Sequence, residues 1–146
     1  RFFAWDNGDG KPEDRLTVAG KILQRWGVPE INPVDLVITA DRLRTFIDSR
    51  FVGAARLAEY PIHAIEGHQV ISGRIDLLVD IGDDYVIFDH KSFPGSMQLD
   101  VERLQTVAGQ LEMYARALKV GSRRSSRSFW IHQPIAGVVV NIEIGD

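Results

Sequence analysis

Residues 73–91 read Gly73-Arg74-Ile75-Asp76-Leu77-Leu78-Val79-Asp80-Ile81-Gly82-Asp83-Asp84-Tyr85-Val86-Ile87-Phe88-Asp89-His90-Lys91, two apolar runs joined by a cluster of turn formers. Short apolar runs bounded by Gly and Asp are the pattern of a β-hairpin. A turn symmetric about Gly82-Asp83 sets Val79 against Val86 and, further along the ladder, Asp76 opposite Asp89. Opposed side chains have Cβ atoms about 4.5–5.5 Å apart, so two carboxylates there repel unless a cation or a shared proton intervenes. A hard divalent ion such as Mg²⁺ or Mn²⁺, which prefers carboxylate, carbonyl and water oxygens, resolves the conflict. Strand alternation puts Lys91 on the same face as Asp89, where an ammonium can stabilise an attacking hydroxide or the charge developing on a phosphate. A surface salt-bridge trio, with a bulge shifting the register, is the competing explanation. As a string, acid-x-Lys is weak evidence: 20 acids and 4 lysines in this chain give about half an occurrence by chance. Asp9-Gly10-Lys11 shows the same pattern in a turn-rich loop, where solvated surface charge explains it.

Outward from that hairpin, Leu57 to Ile65 reads as a preceding strand and Glu66-Gly67-His68 as its turn, so three strands form a meander. Phe93-Pro94-Gly95-Ser96 breaks the pattern. Leu104, Val107, Leu111, Tyr114 and Leu118 then recur at helical spacing, predicting an amphipathic helix from Val101 to Leu118 with Gly121 capping its end. Two more strands follow, Phe129 to His132 and Val138 to Ile144. Upstream, helices are predicted over Leu16–Trp26, with Leu16, Ala19, Leu23 and Trp26 on one face, and over Val34–Ser49. This order indicates an α/β fold with a mixed central sheet flanked by helices. The chain divides into a helical part over 1–52 and an αβ core over 53–146 of one domain.

With 146 residues, 45% hydrophobic and 25% charged, the chain can bury a real core, which excludes intrinsic disorder. The absence of cysteine removes disulfide scaffolds, thiol nucleophiles and iron-sulfur clusters. Apolar runs such as Val138-Val139-Val140 fall far short of the roughly 18 residues of a membrane span, so no membrane partner is expected. A net charge of −3 argues against a protein that coats nucleic acid, but not against an enzyme that brings its own divalent cations. No Gly-x-Ser-x-Gly elbow or phosphate-binding Gly-x-x-x-x-Gly-Lys loop occurs. The opening Arg1-Phe2-Phe3, without methionine or signal pattern, suggests a piece of a longer polypeptide.

Glu59-Tyr60-Pro61, Gly73-Arg74-Ile75-Asp76-Leu77-Leu78, Ile87-Phe88-Asp89-His90-Lys91-Ser92 and Gln110-Leu111-Glu112-Met113-Tyr114 together resemble, in order and spacing, the RecB-like branch of the PD-(D/E)XK nucleases. More narrowly they are similar to the C-terminal nuclease domain of bacterial AddA-type helicase-nucleases. The resemblance covers roughly Leu57 to Leu118. It implies a restriction-endonuclease-like core in which Asp76, Asp89 and Lys91 are catalytic. Asp76, Asp89 and the main-chain carbonyl of His90 would bind Mg²⁺ or Mn²⁺, and Lys91 would position the nucleophilic water. Gln110 and Tyr114 would contact DNA or support the active-site loop. The implied function is that of an exonuclease domain processing double-strand DNA ends for recombinational repair in the bacterial cytoplasm. Its implied partners are single-stranded DNA ends, a helicase motor in the same chain and an AddB-type partner protein. The alternative is an inactive nuclease-fold module serving DNA binding or structural docking.

Two features depart from the family. Members usually carry a metal-ligating His on a helix upstream of the first strand, whereas His63, His68, His90 and His132 all fall later, so the metal site is expected to lack one ligand. Position 90 is more often Tyr, although the family role there belongs to the backbone. Glu59 either approaches the metal or is solvated. Arg123, Arg124 and Arg127 either contact phosphate or line a solvated connector.

Overall fold

The computed structural model describes residues 1–91 and 101–143; the readings at Ser92, at Phe93-Pro94-Gly95-Ser96 and at Ile144 lie outside the described residues. The chain forms two compact units, Arg1–Val52 and Gly53–Asp146.

The first unit is helical, with α1 over Phe2–Trp5, α2 over Pro12–Arg25 and α3 over Pro33–Arg50. Each of the two longer helices opens on a proline, whose missing N–H costs nothing in a first turn. Asn32 caps α3 by accepting from the Val34 N–H at 2.9 Å. Pro12 therefore starts α2 four residues before the predicted Leu16. Trp26 is the C-cap and lies largely exposed, while Arg15 is buried in its place. Arg15 is enclosed because it bonds Asp6 at 2.7 Å and Asp41 at 2.6 Å, and Arg44 also bonds Asp41 at 2.7 Å. These pairs fasten the turn-rich N-terminal segment to both helices. Phe2, Ala19 and Ala40 form the small core beneath them.

The second unit is a five-stranded sheet in the order β1-β2-β3-β4-β5, with β1 Ala55–Glu66, β2 Gln69–Asp80, β3 Tyr85–His90, β4 Ser126–Gln133 and β5 Val138–Ile142. Only the β3–β4 pair is parallel, connected through α4 over Val101–Ser122, so the sheet is mixed. β3 is central and buried on both faces from Tyr85 to Asp89, which is why its sequence is nearly all apolar. Helix α4 packs its Val107, Leu111, Tyr114 and Leu118 stripe on Ile62, Ile71, Ile75, Leu78, Ile87 and Ile131. The helix runs through Gly121 rather than stopping at it. Arg123 instead takes the left-handed position at φ 61° and returns its N–H to the Lys119 carbonyl.

The β2–β3 hairpin has the predicted register: Val79 pairs with Val86, Leu78 with Ile87 and Leu77 with Phe88. The ladder then stops one pair before Asp76 and Asp89. On β2 the alternation is also interrupted, since Ile71, Ile75 and Leu78 all join the core under α4 at spacings of four and then three. Across β1, Glu59 stands between the Ala58–Leu77 and Tyr60–Ile75 pairs at φ 52°, a conformation that strains a residue with a side chain. The irregularity in both strands therefore falls at Asp76.

Candidate active site

Asp76 is held by the backbone of the neighbouring strand. Where the β2–β3 ladder ends, the His90 N–H donates to Asp76 Oδ2 at 2.7 Å, so a side chain takes over from a backbone carbonyl. This fixes the Asp76 carboxylate near Asp89, although the two are not a ladder pair as the sequence reading has them.

Asp89 is 4% exposed. Burial raises its pKa above the ordinary carboxylate value, the nearby Asp76 raises it further, and Lys91 opposes both. Lys91 Nζ lies 3.0 Å from Asp89 Oδ2, yet among the described residues that oxygen has no aligned hydrogen-bond partner. A buried carboxylate oxygen with free acceptor capacity, beside a second carboxylate, is a donor set suited to a hard cation. The Asp76 and Asp89 carboxylates supply only oxygen, which fits a hard divalent cation. Among the described residues no third His, Asp or Glu joins them in a metal-ligating cluster.

Lys91 is located by two neighbouring elements. Its N–H donates to the His132 carbonyl on β4 at 2.9 Å, and its ammonium donates to Gln110 Oε1 on α4 at 3.2 Å. Gln110 Nε2 in turn donates to the Tyr114 hydroxyl at 2.8 Å, one helical turn on. The sequence-predicted set of Asp76, Asp89, His90, Lys91, Gln110 and Tyr114 is thus brought together.

Glu59 pairs with Arg74 at 3.3 Å. Arg124 stacks 3.9 Å over the Tyr85 ring and donates to Asp80 and to the Asp84 carbonyl, so it secures the β2–β3 turn. Phe88 points away from Asp89 and stacks on Trp130 with centroids 6.1 Å apart.

Sequence reasoning missed the contact of His90 with His132. Their rings meet edge to face with Nδ1 atoms 3.0 Å apart, one donating and the other accepting. Period two on each of two adjacent parallel strands was the available signal. Desolvation lowers His90 to about 4 and His132 to about 3, from 6.5. Both rings are neutral at pH 7, and the unfolded chain binds more protons than the folded one below about 6.5. In chelator these two rings are therefore expected to cost stability as pH drops from about 6.5 to about 4, partly offset by Asp89, whose raised pKa acts in the opposite direction. Urea midpoints at pH 7 and 4.5 check this, and equal midpoints would contradict it.

The PD-(D/E)XK nuclease superfamily model matches residues 5–143. The chain belongs to that superfamily. It is also similar to an ATP-dependent helicase/nuclease subunit of Pelotomaculum thermopropionicum (strain DSM 13744 / JCM 10971 / SI), being 31% identical over 80 residues, which are 53% of this chain and 6% of that protein. The matched region is thus a small part of that relative's length. Among solved structures, SSO0001 is similar with a TM-score of 0.46 and 12% identity, over 90% of this chain and 62% of that one. Members of the superfamily are nucleases, and the five-stranded mixed sheet with its helix α4 is the α/β architecture described above. Among the described residues no helix is long and apolar enough to cross a membrane.

Proposed function

We propose that this chain is a metal-dependent deoxyribonuclease domain, with Asp76, Asp89 and Lys91 as its catalytic residues. The observation that carries this reading is the buried Asp89 carboxylate, with its pKa raised, facing Asp76 and an anchored lysine. Asp76, Asp89 and the His90 carbonyl would hold Mg²⁺ or Mn²⁺. When bound, such an ion supplies Lewis acidity and lowers the pKa of its water. The chain's own part is positional. His90 N–H keeps Asp76 turned inward, and Gln110 keeps the Lys91 ammonium at the site. There it orients a water and offsets charge on the phosphate. Tyr114 supports Gln110.

The likeness to a helicase/nuclease protein supports a place beside a helicase motor in a longer bacterial cytoplasmic protein. There the domain would act, together with an AddB-type partner, as an exonuclease on single-stranded DNA ends during recombinational repair. A second reading, a nuclease fold retained for DNA binding or docking, is favoured by one observation: the described metal-ligating set has two acids and no third side chain.

Titration calorimetry with Mn²⁺ on the wild type and Asp89→Ala tests the first reading. Weak binding that Asp89→Ala abolishes is expected, and identical titrations would favour the second. The isolated chain should show little cleavage of single-stranded DNA at ordinary Mg²⁺ concentrations. If a longer parent chain carries the family's upstream histidine, that longer chain should cleave faster. Brisk Mg²⁺-dependent cleavage by the 146-residue chain would show that the upstream ligand is dispensable.

A further inference from the structure

Gly73 lies on β2 three residues before Asp76, and its φ is not in the left-handed region, so backbone freedom does not explain a glycine there. Close approach does. A Cβ placed on Gly73 would lie 3.1 Å from Tyr114 Cε1, 3.5 Å from its hydroxyl oxygen and 3.6 Å from Cζ. Optimal carbon contacts are about 3.5–4.0 Å, so the ring of Tyr114 already rests on the strand backbone. Tyr114 is 6% exposed and enclosed by the core, which leaves it little room to retreat.

That ring is the far end of a directed chain. Lysine only donates, so Gln110 must turn its carbonyl oxygen to Lys91 and its amide nitrogen to the Tyr114 hydroxyl, which accepts. The bonds are 3.2 and 2.8 Å, and Lys91 Nζ lies 3.0 Å from Asp89 Oδ2. The height of the ring above β2 therefore sets where the amide of Gln110 sits, and the amide sets where the ammonium sits.

We propose that Gly73 is a positioning residue: its lack of a side chain seats Tyr114, and through Gln110 the seat fixes Lys91 beside Asp89. The inference depends on the nuclease reading for its catalytic meaning. A methyl group at position 73 displaces the ring by a few tenths of an ångström, which loosens both hydrogen bonds without touching Lys91.

The test reads Lys91 directly. Gly73→Ala, Tyr114→Phe and the double variant are made in the whole chain. Acylation of Lys91 by an N-hydroxysuccinimide ester is followed by peptide mass spectrometry and normalised to the exposed Lys11, Lys21 and Lys119. Each single variant is expected to raise Lys91 labelling about threefold, and the double variant no more than the larger single effect, because both act through Gln110. The Gln110 side-chain amide resonances should shift in Gly73→Ala. Unchanged Lys91 labelling in Gly73→Ala, or effects that multiply in the double variant, would overturn the proposal. If Gly73→Ala is too unstable to label, the Tyr114→Leu background decides. The added methyl meets no ring there and must leave the melting temperature unchanged, and an undiminished loss of stability overturns the proposal. Labelling needs neither metal nor catalysis, so a wild type whose Mn²⁺ titration matches that of Asp89→Ala counts against the nuclease reading alone.

Discussion

In the proposed full-length nuclease Asp89→Asn is expected to lower Mn²⁺-dependent DNA cleavage by about 1000-fold or more, while making the metal-free 146-residue chain more stable. Loss of activity follows if Asp89 holds the ion that activates water. The gain in stability follows from burial. Asp89 has a folded-state pKa above its unfolded value, so the folded chain binds more protons and stability falls as pH rises through that window. Asparagine keeps the shape and removes that fall. At pH 7 in chelator Asp89→Asn should therefore melt above the wild type. Calorimetric melts with and without Mn²⁺, beside a single-strand cleavage assay, check both halves. Cleavage at the wild-type rate would remove Asp89 from the site. Asp76→Ala and Lys91→Ala should be similarly inactive. Within the proposed helicase-nuclease, all three should leave ATP hydrolysis intact, since this chain contains no nucleotide-phosphate loop.

Arg15→Ala should destabilise the helical unit by about 3 kcal/mol, because the buried Asp6 carboxylate loses its two-pronged partner and keeps only the longer contact to Arg44, at 3.3 Å. Asp6 is 8% exposed and takes two Arg15 donors, at 2.8 and 2.7 Å. Loss of Arg15 leaves that carboxylate with Arg44 and the Gly8 N–H alone, each at 3.3 Å, whereas Asp6→Asn together with Arg15→Met removes both charges and should recover much of the loss. Far-UV circular dichroism melts compare the two, and a fall of about 10 °C is expected for the single variant. A single variant as stable as the wild type would show that the network is decorative.

The αβ unit was largely legible because its signals are local. Gly82-Asp83 set the register of β2 on β3, and the apolar period of α4 marked the face that packs on the sheet. The acids and lysine followed from that register and from alternation. Less legible features arise where tertiary contacts override local preference. Arg15 looks like a solvated helix residue until Asp6 and Asp41 are folded onto it, and Trp26 looks like core until the helix ends beneath it. Nothing in the sequence marks Glu59 for a left-handed backbone, because that conformation answers the irregularity at Asp76 on the neighbouring strand. Gly73 carried a readable hint, an isolated glycine inside a strand, but its partner Tyr114 is named only by the packing of α4.

Because β3 and β4 run parallel, His90 meets a neighbour 42 residues further along the chain, and α4 must be made before that pairing can close. Antiparallel β1, β2 and β3 need no such wait, since hairpins form in about 1–10 μs. At a synthesis rate of about 5–20 residues per second, the meander with Asp76 and Asp89 leaves the ribosome seconds before Gln110 does. A nascent chain therefore has its acids early but no held ammonium between them. Lys91 is gripped only once Gln110 on α4 and His132 on β4 have arrived, so the proposed site is assembled only after those elements dock.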